Sequence, residues 1–456
     1  MIESLKKLAS ESGFKYIGDD ISIGHITINT KDVGQHSMFV AIVANRDGHE
    51  FIQQAIENGA KAVLVSKEQQ NISIPQIVCD NTIKGLRTLA KTYRKTLKMP
   101  IISLTGSCGK TSVKEMIVTL LKDHETHATF ANFNNYLGVP LTMLQTPQDA
   151  EFAVIESGTS VKGEIKAAAD IICPDVALIT NVGASHLESL ETVDGVMLEK
   201  GTLLQSVTKN GCCVINIDDK RICDYAKSLD SRVISCSMSD SNADVFVKSY
   251  SLSEDDYNII IRIFDKQYEY TMPNMGKHNI GNSMLAIACV VATGMNPQDF
   301  LKNSVFFDGF EGRFSSKKIN KTLTVVDDTY NASVSAVKAA IDDLSDFEGE
   351  RILVISSMKE LGEEADLHHK YIGSEIAKSN IDHVLLFGDE LHMSYIVGVK
   401  KNRDVKYFTS KQDLNDSLSK LLLNYTNVDT KIIIKGARSY KMEEIVEFVV
   451  QTFSNK

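Results

Sequence analysis

A run of small and polar residues concentrates the chemistry of this 456-residue chain: Thr105, Gly106, Ser107, Cys108, Gly109, Lys110 and Thr111, with Ser112 after them. They follow the apolar run 101–104 and precede a helical pattern, the layout of a strand feeding a phosphate-cradling loop. Small side chains let backbone N–H groups turn inward onto phosphate oxygens, and the helix N-terminus adds the positive end of its dipole. Lys110 supplies a cation, and the Thr111 hydroxyl is a hard oxygen suited to Mg²⁺. The chemistry this implies is binding of a nucleoside triphosphate. The general spacing G-x-x-x-x-G-K-[ST] is incomplete, because Leu104 stands where its first glycine belongs. The loop is thus the shorter T-G-S-x-G-K-T form. An accidental Gly/Ser turn is the plain alternative, and the Lys110-Thr111 pair weighs against it. For Cys108, filling a variable loop position and acting as a nucleophile both stay open.

In open parallel sheets, ligands gather beyond the carboxyl ends of the strands. The run 152–155 is followed by Glu156, and 176–179 by Thr180-Asn181-Val182-Gly183-Ala184-Ser185-His186, with Lys200 further on. Mg²⁺ usually binds through one or two carboxylates plus substrate phosphates, which makes Glu156 a candidate ligand; a solvated strand-end charge is the alternative. Gly183 lets the chain turn, and His186 is either a functional imidazole or a hydrogen-bonded loop residue. Lys200 alone says nothing, since helix lysines are usually solvated.

The elements that must position these groups follow from hydrophobic patterning. Up to residue 96, strand-like runs at 38–42, 62–65 and 76–78 alternate with helical stretches at 51–57 and 83–97. From 97 to 312 the alternation resumes with buried parallel strands at 101–104, 152–155, 176–179 and 213–217. Period-two segments at 243–248, 257–264 and 268–272 then predict an antiparallel edge before a helix at 278–293. From 313 to 456, strands at 323–326, 352–355, 383–387 and 432–434 interleave with helices at 335–344 and 367–377, a doubly wound layout. The expected fold is therefore α/β in three domains: 1–96 small, 97–312 a mostly parallel P-loop-type sheet, and 313–456 Rossmann-like.

Composition excludes other classes. With 43% hydrophobic and 24% charged residues, no stretch nears the roughly 18 continuous apolar residues of a membrane span. Residues 1–7 carry no apolar core segment or small-residue cleavage site, so the cytoplasm is the expected compartment. Eight cysteines without a C-x-x-C pair read as reduced thiols, not zinc ligands. A formal charge of −10 without a basic block argues against nucleic acid as partner.

Taken together the motifs resemble the Mur ligases, the ATP-dependent amide-forming enzymes of bacterial cell-wall synthesis. The resemblance runs through TGSCGKTSVKEM (105–116), ANFNNYLGVPLTML (131–144), IESGTSVKGEI (155–165), NVGASHLE (181–188), GKHNIGN (276–282), DDTYNA (327–332), KELG (359–362) and KGAR (435–438). It is strongest for the branch that adds D-alanyl-D-alanine to a UDP-muramoyl-tripeptide. It implies that 1–96 binds the nucleotide sugar, 97–312 ATP, and 313–456 the incoming amine while closing on ATP. Lys110 and the loop amides would hold phosphates, Thr111 and Glu156 one Mg²⁺, and Glu156, His186 and Lys200 a second. An ammonium has no acceptor, so the resemblance further implies that Lys200 is carbamylated.

The resemblance also implies that Asn279 and Asn282 contact adenine, although helix capping would explain them too. Arg313 would reach the nucleotide phosphates, with Asp328 and Tyr330 flanking the nucleotide. Substrate contacts would fall to Thr30, Asn134, Asn135, Asn331, Lys435 and Arg438, in a chain that acts as a monomer on small molecules. Departures from the branch's pattern occur at Asn29-Thr30-Lys31, Ala332-Ser333-Val334, Ser356-Ser357, Ala437 and Thr202. Most lie in the nucleotide-sugar or amine regions. A family paralogue joining another acid and amine, and a non-catalytic nucleotide-binding protein, are the competing readings.

Overall fold

The structure is a computed structural model and describes residues 1–253, 256–309, 312–388 and 404–454. Among these residues the chain forms three sheets. The first contains β1 (Lys15–Ile17), β2 (His25–Thr27), β3 (Ser37–Val40), β4 (Ala60–Val65) and β5 (Gln76–Val78), in the order β1-β5-β4-β3-β2. All neighbours are parallel except β1 on β5. Side chains alternate across this sheet: Met38, Val40, Ala62 and Leu64 enter one apolar cluster, Phe39, Ala41, Val63 and Val65 the other.

The helix Thr82–Arg94 starts at Asn81, whose side chain accepts the Lys84 N–H at 2.9 Å. Its face of Leu86, Leu89, Ala90 and Tyr93 packs against the first sheet and also against Val139, Leu141, Ala168 and Ile171 of the next unit, in one continuous core. Polar bonds border this seam. Tyr93 donates to the Thr146 carbonyl at 2.9 Å, Arg94 to the carbonyls of Ile172 (2.6 Å) and Cys173 (2.9 Å), and Gln145 to that of Ile26 (2.8 Å).

The central sheet contains β6 (Ile101–Thr105), β7 (Thr126–Ala128), β8 (Phe152–Glu156), β9 (Val176–Ile179), β10 (Cys212–Asn216), β11 (Arg232–Ser237), β12 (Val245–Ser253), β13 (Asp256–Ile263) and β14 (Lys266–Pro273). Its order is β14-β13-β12-β11-β10-β9-β6-β8-β7. The predicted antiparallel edge holds for β12, β13 and β14 among themselves, but β12 also continues the parallel sheet through Cys236↔Val245. Local alternation reports a half-buried strand and is silent on which neighbour it joins. Because β6 lies between β8 and β9, successive crossovers leave on opposite sides of it and open a crevice above its carboxyl end.

The third sheet contains β15 (Ser315–Lys318), β16 (Leu323–Asp328), β17 (Glu350–Ser356), β18 (His383–Phe387), β19 (Asp404–Phe408) and β20 (Thr430–Lys435), in the order β15-β16-β20-β17-β18-β19. Only β15 runs antiparallel to its neighbour. Among the described residues, Ala184 is the single hydrophobic side chain from the central sheet's loops that packs on this unit's apolar clusters. The two units also meet where the buried Phe314 ring packs edge-on against His278, centroids 4.8 Å apart, and through polar groups beside it. The Lys277 N–H donates at 3.2 Å to Asp343, which Lys431 of the third unit itself holds at 2.6 Å, and Lys277 Nζ lies 3.6 Å from Asp346. No helix of the described residues is long and apolar enough to cross a membrane.

Candidate active site

Strand β6 is buried along its length and delivers residues 106–109 into the crevice. A Cβ at Gly106 would collide with Thr180 Oγ1, and Gly109 adopts φ +79°, the left-handed region glycine enters without strain. The helix Lys110–Leu120 begins there. The segment after β9 clasps the loop. Asn181 accepts the Ser107 N–H on its carbonyl and the Cys108 N–H on Oδ1, both at 3.0 Å, while Thr180 Oγ1 donates to the Cys108 carbonyl at 2.6 Å. Gly183 N–H donates to Ser107 Oγ at 3.0 Å, and Ser185 Oγ to the same atom at 2.9 Å. Thr105 is buried beneath the loop, its hydroxyl without a partner among the described residues. Ser112 lines the cleft from the helix's first turn.

Lys110 Nζ folds back onto the Gly106 carbonyl at 2.7 Å. Burial lowers its pKa, opposed by the Glu156 carboxylate. Glu156 ends β8, is 1% exposed, and accepts the Thr111 hydroxyl at 2.9 Å and the Asn134 amide at 2.7 Å. A carboxylate and a hydroxyl so paired are hard oxygens of the kind Mg²⁺ takes. Asn135 accepts the N–H groups of Leu137 (3.1 Å) and Gly138 (2.9 Å), shaping the start of the helix Gly138–Gln145. His186 lines the same cleft in a left-handed backbone conformation, φ +53°, with Nδ1 2.8 Å from Glu360 Oε2.

Lys200 lies on the helix Val193–Leu204, 1% exposed, and is not among the residues that line the cleft. Burial first, then the nearby Lys110 charge, drives its pKa well below the usual lysine range. Among the described residues no group of three or more His, Cys, Asp or Glu side chains forms a ready metal cluster. Glu156 and His186 would therefore need a further anionic ligand to complete one.

The opposite wall belongs to the third unit. Arg313 stacks 4.0 Å over the Tyr330 ring, and Tyr330 N–H donates to the Gly312 carbonyl at 2.9 Å. At the carboxyl ends of β16 and β20, Lys435, 2% exposed, pairs with Asp328 at 2.7 Å and donates to the Asn331 carbonyl at 3.0 Å. Arg438 is 68% exposed, pairs with Glu443 at 3.2 Å, and stands outside the cleft wall, 5.9 Å from the Tyr330 ring. Asn282 lines the cleft packed directly against Gly109, where a Cβ would meet its Oδ1, and donates to Asn279 Oδ1 at 2.7 Å. Asn279 itself is buried, donating to the Met275 carbonyl at 2.6 Å, so it supports Asn282 without reaching the cleft; neither residue caps the helix His278–Ala292. The cleft between the walls measures about 560 Å³.

Thr30 is elsewhere, in a cavity of about 410 Å³ on the first unit with Asn29, Arg46 and Phe51. Two contributors escaped the sequence reading, the Asn181 clasp and Glu360. Both stood inside recognised motifs, yet their partners are distant in the chain, so only the fold discloses them.

The fold and the cleft define a class, an enzyme that handles a nucleoside triphosphate between two α/β walls. Residues 104–290 match the Mur ligase middle domain, and residues 312–438 match the Mur ligase, glutamate ligase domain. The chain belongs to the Mur ligase family and is an ATP-dependent ligase. It is 31% identical to the UDP-N-acetylmuramoyl-tripeptide–D-alanyl-D-alanine ligase of Haemophilus influenzae, covering 97% of both chains. The Bacillus subtilis enzyme of the same name is 33% identical, over 94% of this chain and 93% of that one. The structure of MurF from Acinetobacter baumannii superposes with a TM-score of 0.91 at 25% identity, covering 99% of each chain. MurF from Thermotoga maritima, in complex with ADP, superposes with 0.82 at 25% identity, over 94% of this chain and 98% of that one.

Proposed function

We propose that this chain joins D-alanyl-D-alanine to the peptide carboxyl of UDP-N-acetylmuramoyl-tripeptide, converting ATP to ADP and phosphate through an acyl phosphate. The observation that carries the reading is a phosphate loop facing Arg313 and Lys435 across one cleft, in a chain whose named relatives match it from end to end. Residues 1–96, with Thr30 in their cavity, would hold the nucleotide sugar, 97–312 ATP, and 313–456 the amine. The reaction fits the cytoplasm, where ATP and nucleotide sugars reside, and a monomer acting on small molecules.

A carboxylate attacking ATP brings anion toward anion. Lys110, Arg313 and the loop N–H groups lower that repulsion and hold the reactants in line. Asn282, supported by Asn279, would meet adenine, with Asp328 and Tyr330 alongside the nucleotide; Asn134 and Asn135 would meet the muramoyl peptide, and Asn331, Lys435 and Arg438 the incoming amine. Thr111 and Glu156 would hold one Mg²⁺, and Glu156, His186 and Lys200 a second; bound Mg²⁺ would neutralise phosphate charge and orient the oxygens. The burial of Lys200 near the Lys110 charge supports its carbamylation, since a carbamate there replaces a repelling pair of cations with an attracting one. A CO₂ adduct on Lys200 in the active enzyme is the expected mass-spectrometric finding, and a free ammonium there rejects this part. The amine then displaces phosphate from the acyl group, while closure of the third unit keeps water away.

Phosphate release over a panel of UDP-muramoyl peptides and dipeptides tests the whole reading. A requirement for the tripeptide together with D-alanyl-D-alanine is expected. Preference for another acid and amine would overturn it and shift weight to the departures at Asn29-Thr30-Lys31, Ser356-Ser357, Ala332-Ser333-Val334 and Ala437.

A further inference from the structure

Among the described residues, one side chain from the third unit touches a residue of the proposed metal site directly. Glu360 follows β17 on the loop 359–362 and lies with Oε2 2.8 Å from His186 Nδ1, while its backbone carbonyl accepts the Leu187 N–H at 3.2 Å. Gly362 of the same loop packs against the backbone of Glu188. The loop therefore grips the segment 186–188 by main chain and side chain together.

Glu360 has φ +61° and His186 φ +53°, so both sides of the contact sit in a region non-glycine residues rarely occupy. Such conformations persist where surrounding bonds hold them. With Nδ1 committed to Glu360, the His186 nitrogen left toward the cleft is Nε2, which has no partner among the described residues. A carboxylate on one imidazole nitrogen fixes the tautomer and ring orientation and makes the other nitrogen a better donor to a cation. The hydrogen bond from His186, with a smaller contribution from the Lys110 ammonium, holds the Glu360 carboxyl below its usual range.

We propose that Glu360 is a positioning residue for His186, supplied by the third unit, so that closure of the cleft finishes the divalent-cation site rather than merely covering it. The proposal rests on the reading of His186 as a cation ligand. In an open arrangement the imidazole would be free to rotate and to exchange tautomers. In the closed one, Nδ1 is held by Glu360 and Nε2 is left for a cation in the cleft that Glu156 also lines.

The test uses Mn²⁺ as probe, measured by electron paramagnetic resonance on the full-length protein with ADP, in parent, H186A, E360A, E360Q and the H186A/E360A double variant. Loss of the carboxylate in E360A is expected to weaken Mn²⁺ binding roughly 10- to 100-fold, the range for removing a carboxylate behind a metal-bound histidine. E360Q keeps an acceptor for Nδ1–H and is expected to recover part of that affinity. In the H186A background E360A should add nothing, because its effect travels through the imidazole. If H186A weakens Mn²⁺ while E360A binds as the parent does, or if the two losses simply add, the positioning role is overturned and His186 stands as a ligand without it. If H186A itself leaves Mn²⁺ binding unchanged, the underlying reading of His186 fails, and the proposal with it. Unfolding midpoints and ADP affinity of E360A should match the parent; a general loss of structure would move both and would also count against the proposal.

Discussion

The central unit has two neighbours and treats them differently. Against the first, the helix Thr82–Arg94 buries Leu86, Leu89 and Tyr93 in a core shared with Val139, Ala168 and Ile171. Against the third, it offers Lys277, His186 and Leu187 to Asp343, Asp346 and Glu360. Apolar burial is non-directional and is lost as soon as the surfaces part, so the first two units behave as one body. The second contact is a few polar bonds, of which the exposed Lys277–Asp346 pair is worth about 0–1 kcal/mol, so it is broken and remade more readily than a shared apolar core. The difference teaches which side of the molecule is built to move, and it is the side where the phosphate loop opens.

If that division is right, damage on the cleft should cost activity and damage on the seam should cost stability. The largest effect belongs to Lys110→Ala, which should cut phosphate release at least about 10²–10³-fold, the loss typical of one transition-state donor, with the unfolding midpoint unmoved. Next, Leu89→Ala in the shared core should lose about 2–5 kcal/mol in denaturant titration, in a single transition. A separate early melting of residues 1–96 would break the comparison.

Opposite ends of the pH scale should then separate the two contacts. Burial pushes the Tyr93 phenol up to about 12, so its contribution is complete below the unfolded value near 10 and is lost as pH rises toward 12; Tyr93→Phe should flatten that alkaline loss, with about 1 kcal/mol forfeited at neutral pH for the bond to Thr146. The Glu360 carboxyl is held below its usual range, chiefly by the hydrogen bond from His186. Its contact is present above that range and is lost as pH falls through the lowered value, which small-angle scattering should register as an opening with no unfolding. The smallest effect is Lys277→Ala. Removing its exposed pair with Asp346 should shift unfolding by less than about 1 kcal/mol while still widening the scattering profile.

The phosphate loop was legible because its chemistry is local: glycines, a lysine and a threonine at fixed spacing after an apolar run. Strands β4, β6, β8 and β9 were equally plain, since strands covered on both faces read as unbroken hydrophobic runs. The short β1 and β7 were invisible, having no fully buried residue, and the exposed Ser-Ser-Lys-Lys of β15 carries no strand signature. The boundary expected near residue 96 marks a change of sheet, yet the apolar core runs straight across it. Asn279 and Asn282 looked equivalent as a pair, but helical geometry turns one toward the cleft and sends the other back to Met275. Glu360 gave no hint of its partner, because a contact between distant segments is a property of topology.

The helix Thr82–Arg94 also sets an order of events at the ribosome. It emerges before residues 139–172 exist, so for a period on the order of seconds the nascent chain carries a greasy stripe that nothing yet translated can fully cover. Chaperone capture of a stalled chain should therefore peak between these two points and vanish once the second has cleared the exit tunnel.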